Sequence, residues 1–232
     1  MNFDKNAPTY SDELNQGLKL TGESRNYFIN ARIRLVKAWL EKRKSSVNNV
    51  LDFGCGDGSS AHALAGIPDV AEYTGTDTAV EAMNVGKTQL EKTQRSIEIS
   101  FIETSKVADD SFQLAYVNGV FHHIPVKERL MWIKYLAAKL QDGGYLAFWE
   151  NNPWNPGTRL LHKLVPFDRD AIFVYPSTGM KLIEQAGLTV LRRSYHFIFP
   201  GALKPLRFLE PHLEHLPFGG QYCIFAQKQS AT

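Results

Sequence analysis

Asp52, Gly54, Gly56, Asp57 and Gly58 lie within one short stretch, "VLDFGCGDGSS", and Asp77 ends the next apolar run. Glycines straight after a buried strand let the chain turn sharply and let a ligand approach the peptide groups closely. A helix opening after such a turn offers that ligand N–H groups with no partner inside the helix. The spacing departs from the dinucleotide fingerprint, because Ser59 stands where the third glycine of G-x-G-x-x-G would fall. Asp52 and Asp57 bracket the turn; two acids repel a pyrophosphate but attract an amine or sulfonium cation. Asp77 is placed to accept both hydroxyls of a ribose. A tight turn that merely needs small residues is the plain alternative. The combination suits a nucleoside that carries no phosphate and a positive charge, as S-adenosylmethionine (SAM) does.

Three further side chains could move a proton: His122 and His123, directly after a predicted fourth strand, and Glu150, at the end of a fifth. An imidazole with an ordinary pKa of ~6.5 takes a proton from a hydroxyl or amine near neutral pH. Transfer of a sulfonium methyl group is an in-line displacement, to which a protein contributes alignment, desolvation and sometimes a base. The same histidines could instead hydrogen-bond backbone or pack beneath a ligand, and Glu150 could be structural. Tyr10 and Tyr27, before and on the first predicted helix with Phe28, and Trp154, in the turn "NPW", are candidate acceptor contacts. As aromatics on or near a helix they could equally be core.

These residues need strands ending at one edge. Ile29, Ile33, Val36 and Leu40 recur at helical spacing and predict a helix over 24–44. Beyond it, apolar runs at 48–53, 72–77, 97–103, 112–119 and 145–150 read as strands, and 59–66, 79–94 and 125–140 as helices between them. "QDGG" is expected to stop the last of these. The alternation predicts a mostly parallel α/β sheet covered on both faces. A further helix is expected over 177–187, with strands over 188–199 and 221–228. Two proline-rich stretches, 151–176 and 200–220, have no clear period and read as cap insertions over the sheet; residues 1–44 read as a lid and helix.

The bulk numbers exclude several classes. With 26 basic and 24 acidic side chains, a net charge of +2 gives no whole-chain case for nucleic acid or an anionic membrane. Cys55 and Cys223 alone cannot build a disulfide framework or a four-cysteine zinc site, and no metal is expected. The polar N-terminal stretch lacks a signal-peptide profile, and no run approaches a membrane span, so a cytoplasmic protein with one domain over 1–232 is expected.

The D-x-G-x-G-x-G loop of Asp52, Gly54, Gly56 and Gly58 resembles motif I of class I SAM-dependent methyltransferases. "TGTD", residues 74–77, is similar to their second motif. Residues 112–125 resemble their fourth strand, and 140–150 their passage into the fifth. The resemblance is clear over 45–150 and looser beyond. It implies a Rossmann-like, doubly wound, seven-stranded sheet with its last strand antiparallel. It implies that Asp52 and Gly54 face the methionine moiety, with Gly56 and Gly58 beneath it. Asp77 would hold the ribose, Thr78 would lie beside the adenine, and the Asn118 carbonyl would accept the ammonium. Members often carry Asp after the third strand, where this chain has Glu103 and Thr104. They also often read S-F-D where it has Ser111, Phe112 and Gln113. "NPW" resembles the N-P-P-aromatic motif of enzymes that methylate base amino groups, but it follows the fifth strand rather than the fourth, which argues against a nucleic-acid substrate.

The caps would choose the acceptor. They interleave Trp154, Phe167, Phe173, Tyr175, Phe199, Phe208 and Phe218 with Arg159, Lys163, Arg169, Lys204 and Arg207. That mixture suits a flat, hydrophobic or lipid-linked small molecule bearing an acid or phosphate, unless the aromatics are the caps' own core. Methyl transfer to O or N of a small molecule is therefore expected. A nicotinamide-dependent oxidoreductase and a non-catalytic SAM-binding partner protein are the alternatives.

Overall fold

A computed structural model of the chain describes residues 18, 21–91, 97–165 and 171–230. The strands are β1 (Asn49–Phe53), β2 (Glu72–Thr76), β3 (Glu98–Phe101), β4 (Phe112–Asn118), β5 (Leu140–Asn151), β6 (Leu188–His196) and β7 (Gln221–Lys228). They form one seven-stranded sheet in the order β3-β2-β1-β4-β5-β7-β6. Every pairing from β3 to β5 is parallel, and β7 runs antiparallel to both β5 and β6. The expected Rossmann-like sheet with a reversed last strand is thus the observed one.

Helix α1 (Arg25–Lys42) starts where Ser24 accepts a hydrogen bond from the Tyr27 N–H, and it buries the anticipated Ile29, Ile33, Val36 and Leu40. The short α2 is Ala61–Leu64, α3 is Val80–Glu91, α4 is Arg129–Lys139, α5 is Pro156–Leu164, α6 is Pro176–Gln185 and α7 is Glu210–Leu213. Strand alternation sorts the core into two layers. Val50, Leu114, Tyr116 and Trp149 meet α1 on one face of the sheet. Leu51, Ala115, Val117 and Phe148 meet Ile133, Leu136 and Ile183 of α4 and α6 on the other.

Several boundaries differ from expectation, among them the start of α4, which follows a 3-10 turn over Val126–Glu128 instead of opening at Pro125. β5 begins at Leu140 rather than after the glycines, because Gly143, at φ 79°, lets the strand shift register against β4 between Phe112 and Leu114. β6 stops at His196, where Phe197 takes φ 64° and leaves the sheet. The first cap contains a real helix: Asn155 accepts from the Thr158 N–H and Pro156 occupies the first turn of α5. The second cap holds a 3-10 segment, Gly201–Leu209, before α7. Asn152 staples the caps together, its amide donating to the Pro217 and Gly219 carbonyls at 3.0 and 2.7 Å. No helix among the described residues is long and apolar enough to cross a membrane.

Candidate active site

β1 ends in a loop where Gly54, Gly56 and Gly58 all have positive φ, at 74°, 55° and 67°. A Cβ on Gly54 would lie 2.3 Å from the Val120 side chain, whereas one on Gly56 would meet nothing within 4 Å. The loop is fastened to the end of β2. Gly56 N–H donates to one Asp77 oxygen at 2.8 Å, and Ala79 N–H donates to the other at 2.9 Å. Thr78 beyond it is exposed. Thr104 bonds the Thr76 hydroxyl at 3.0 Å, which puts it beside the same strand end. Glu103 is turned to the surface, paired with Lys106. Asp57 is gripped by both terminal nitrogens of Arg25, at 2.7 and 2.8 Å, so it straps α1 to the loop. Burial alone would raise the Asp57 carboxyl, but the Arg25 bonds outweigh it and hold it below its ordinary value.

Below the loop lies a buried polar floor. Asp52, 3% exposed, accepts from the Tyr73 hydroxyl at 2.9 Å. Burial pushes its carboxyl up to about 7, the Tyr73 bond opposing and the nearby Asp77 and Asp57 charges adding. Arg32, from α1, donates to the Tyr116 hydroxyl at 3.2 Å and to Gln221 at 3.0 Å. Gln221 in turn donates to Asn151. Arg32 is 6% exposed, and its hydrogen-bond partners are neutral, so it is a buried cation with no carboxylate bound to it among the described residues.

Opposite chemistry gathers where β4 and β5 end. His122 and Glu150 share a 2.6 Å hydrogen bond, and Phe121 N–H donates to the second Glu150 oxygen at 2.7 Å. Both side chains are buried. His123 lies against His122 with ring centres 4.2 Å apart, and His162 of α5 meets His122 at 5.7 Å. Phe173 packs on His162 at 4.1 Å. No cluster suited to a metal ion occurs among the described residues.

A cavity of about 490 Å³ joins these groups. Asp52, Gly54, Gly56, Asn118, His122, His123 and Tyr27 all line it, as do Arg32, Tyr116, His162 and Gln221. Asp57, Gly58, Asp77, Thr78, Thr104, Glu150 and Trp154 lie outside its lining. Asp77 reaches the lining through Gly56, and Glu150 through His122. Trp154 packs instead on Tyr175 and Tyr195, and Arg207 covers the Tyr27 ring. Tyr10, Phe167 and Arg169 fall outside the described residues. Residue-level reading passed over Arg25, Arg32 and His162. For Arg32 a signal existed: it falls within the stripe of Ile29, Ile33 and Val36, where a charge must find a reason to be buried.

The residues fit a cationic nucleoside. The open face at Gly56 leaves room for a ligand against backbone, Asp52 offers a carboxylate to a cation, and Asn118 Oδ1 is buried with no partner among the described residues. The chain matches the family model described as a methyltransferase domain over residues 23–193. No curated protein matches it by sequence. Among solved structures, magnesium protoporphyrin IX methyltransferase from Synechocystis PCC 6803, with bound S-adenosylhomocysteine (SAH), is similar at 16% identity. That pairing has a TM-score of 0.62 and covers 92% of this chain and 86% of that one. A SAM-dependent methyltransferase from Archaeoglobus fulgidus is similar at 17% identity and TM-score 0.57, covering 84% and 94% of the two chains. Another from Methanosarcina mazei is similar at 19% and 0.57, covering 80% and 94%. The family match sets aside a nicotinamide oxidoreductase. With the glycine loop, the reversed seventh strand and a family match over most of its length, the chain belongs to the methyltransferase-domain family, enzymes that use SAM as methyl donor.

Proposed function

We propose that the protein transfers the SAM methyl group to a hydroxyl or amine of a small-molecule acceptor, with His122 as the base. The observation that carries this reading is the His122–Glu150 pair at the cavity wall. A Glu150 carboxylate bound at Nδ1 favours the tautomer with its proton there, which puts the basic lone pair on Nε2. Glu150 is held in turn by the Phe121 N–H, so the ring is aimed rather than free to rotate. When bound, the cofactor supplies a methyl group already activated by its sulfonium charge. Asp52 and the Gly54–Gly58 backbone would hold the methionine moiety, with the Asn118 carbonyl on its ammonium. Asp77 would hold the ribose, and Thr78 and Thr104 would border the adenine. Arg32, a buried cation lacking a carboxylate, would bind the methionine carboxylate, since an unneutralised buried charge is costly. The two caps and Tyr27 would exclude water from the acceptor.

Incubation with SAM and a panel of small alcohols, phenols and amines, read by mass spectrometry, should find an acceptor that gains one methyl group. On that acceptor His122→Gln should lower kcat by about 100-fold or more while SAM affinity stays within about threefold. An unchanged kcat would remove His122 from the chemistry. Tight SAM binding with no methylated product from any acceptor would favour the non-catalytic binding protein.

A further inference from the structure

The rim of the cavity is built inside out. In α5 the buried positions are the polar Thr158 and His162. Leu160 and Leu164, one turn apart, are 54% and 53% exposed. An ordinary surface helix turns its leucines to the core and its polar side chains to water. The 3-10 segment Gly201–Leu209 repeats the inversion: its sequence is mostly apolar, yet none of its residues is buried, and Phe208 is 70% exposed. Leu160 lines the same cavity as Pro200 and Arg207, so both apolar segments stand at its walls. Arg159, Lys163 and Lys204 are interspersed with these leucines and enter no ion pair among the described residues.

An exposed apolar surface of this kind needs an occupant. A second copy fits poorly, because a two-fold contact through this rim would bring its unpaired cations toward their own duplicates. An anionic surface with an apolar interior satisfies both features at once. We propose that the rim docks shallowly on an anionic lipid bilayer and that the acceptor is an amphiphile passed from the bilayer into the cavity. The second half rests on the proposed reading that the acceptor occupies this cavity. Leu164, Leu203, Leu206 and Phe208 would enter the headgroup boundary, and Lys163 and Lys204 would meet the lipid charge. The net charge of the whole chain, +2, conceals this local arrangement.

Flotation of the full chain with vesicles tests docking independently of catalysis. Vesicles of phosphatidylcholine mixed with phosphatidylglycerol should carry the protein up the gradient, and phosphatidylcholine alone should carry far less. Removing two basic side chains, as Lys163→Gln with Lys204→Gln, should lower partitioning by more than about tenfold, since each is worth roughly fivefold near an anionic surface. Leu164→Ser with Phe208→Ser should lower it by about tenfold or more. Both variants should bind SAM as the wild type does by calorimetry, which shows that they are folded. No flotation with anionic vesicles, or flotation that neither variant weakens, would overturn docking. So would dimerisation seen by light scattering and abolished by Leu164→Ser with Phe208→Ser. Docking with methylation only of water-soluble acceptors would overturn the bilayer source of the substrate. Docking without any methylation would instead count against the proposed function and leave the interface standing.

Discussion

In the proposed site, Asp52 is the residue on which cofactor affinity and stability pull apart. Its carboxyl sits at about 7 because burial disfavours its charge. A cationic ligand binds best to the ionised form, so SAM affinity should rise with pH and level off above neutrality. Between about pH 6 and 8 the gain should be on the order of tenfold, accompanied by proton release in calorimetry. Asp52→Asn should bind weakly and lose that dependence. Stability runs the other way. The folded pKa lies above the ordinary 3.8, so the folded state holds the proton longer than the unfolded one. Stability from this group therefore falls as pH rises from about 4 to about 7, and is flat above. The empty Asp52→Asn protein should melt higher than wild type near pH 8, with the gap closing towards pH 4. Such residue types were legible in the sequence because the loop packs its glycines and acids into one short stretch. The His122–Glu150 bond was legible only as two separate candidates. Its partners are 28 positions apart and meet because β4 and β5 pair in parallel and end side by side. Asp57 was legible as an acid bracketing the loop, while its place in sequence could not reveal Arg25, which approaches from α1.

Helices and strands with one polar and one apolar face were read to within a few residues, α1 most closely. α5 was missed for a physical reason: its buried positions, Thr158 and His162, are polar while Leu160 and Leu164 are exposed, so the usual period points away from the core. The early start of β5 was hidden by glycines that ordinarily end a segment but here shift the register. Cap geometry depends on Asn152, which is fully buried and donates to two carbonyls of the other cap. Asn152→Ala would leave both carbonyls without that donor, at a cost of about 1–3 kcal/mol. Hydrogen exchange should speed up over residues 217–220, and acceptor KM should rise more than SAM affinity falls. Unaltered exchange there would mean that the caps hold together by other contacts.

Across the whole molecule, the sheet collects at one edge what the chain distributes widely. β1, β2, β4 and β5 run parallel, so the glycine loop, Asp77, Asn118 with the histidines, and Glu150 all emerge at their carboxyl ends. α1 closes this edge from one side, through Arg25 and Arg32. The fold and the glycine loop with its Asp77 anchor were legible because strand order and loop type follow local pattern. The cap side of the cavity was not, because it is assembled from two irregular caps that meet through contacts distant in sequence. Calorimetric titration with SAM, SAH and NADH, on wild type and on Asp77→Asn, tests this arrangement most directly. SAM and SAH should each bind at one site, at least about tenfold more weakly in the variant, and NADH should not bind. NADH binding, or SAM binding indifferent to Asp77, would contradict the placement of the cofactor at this edge of the sheet.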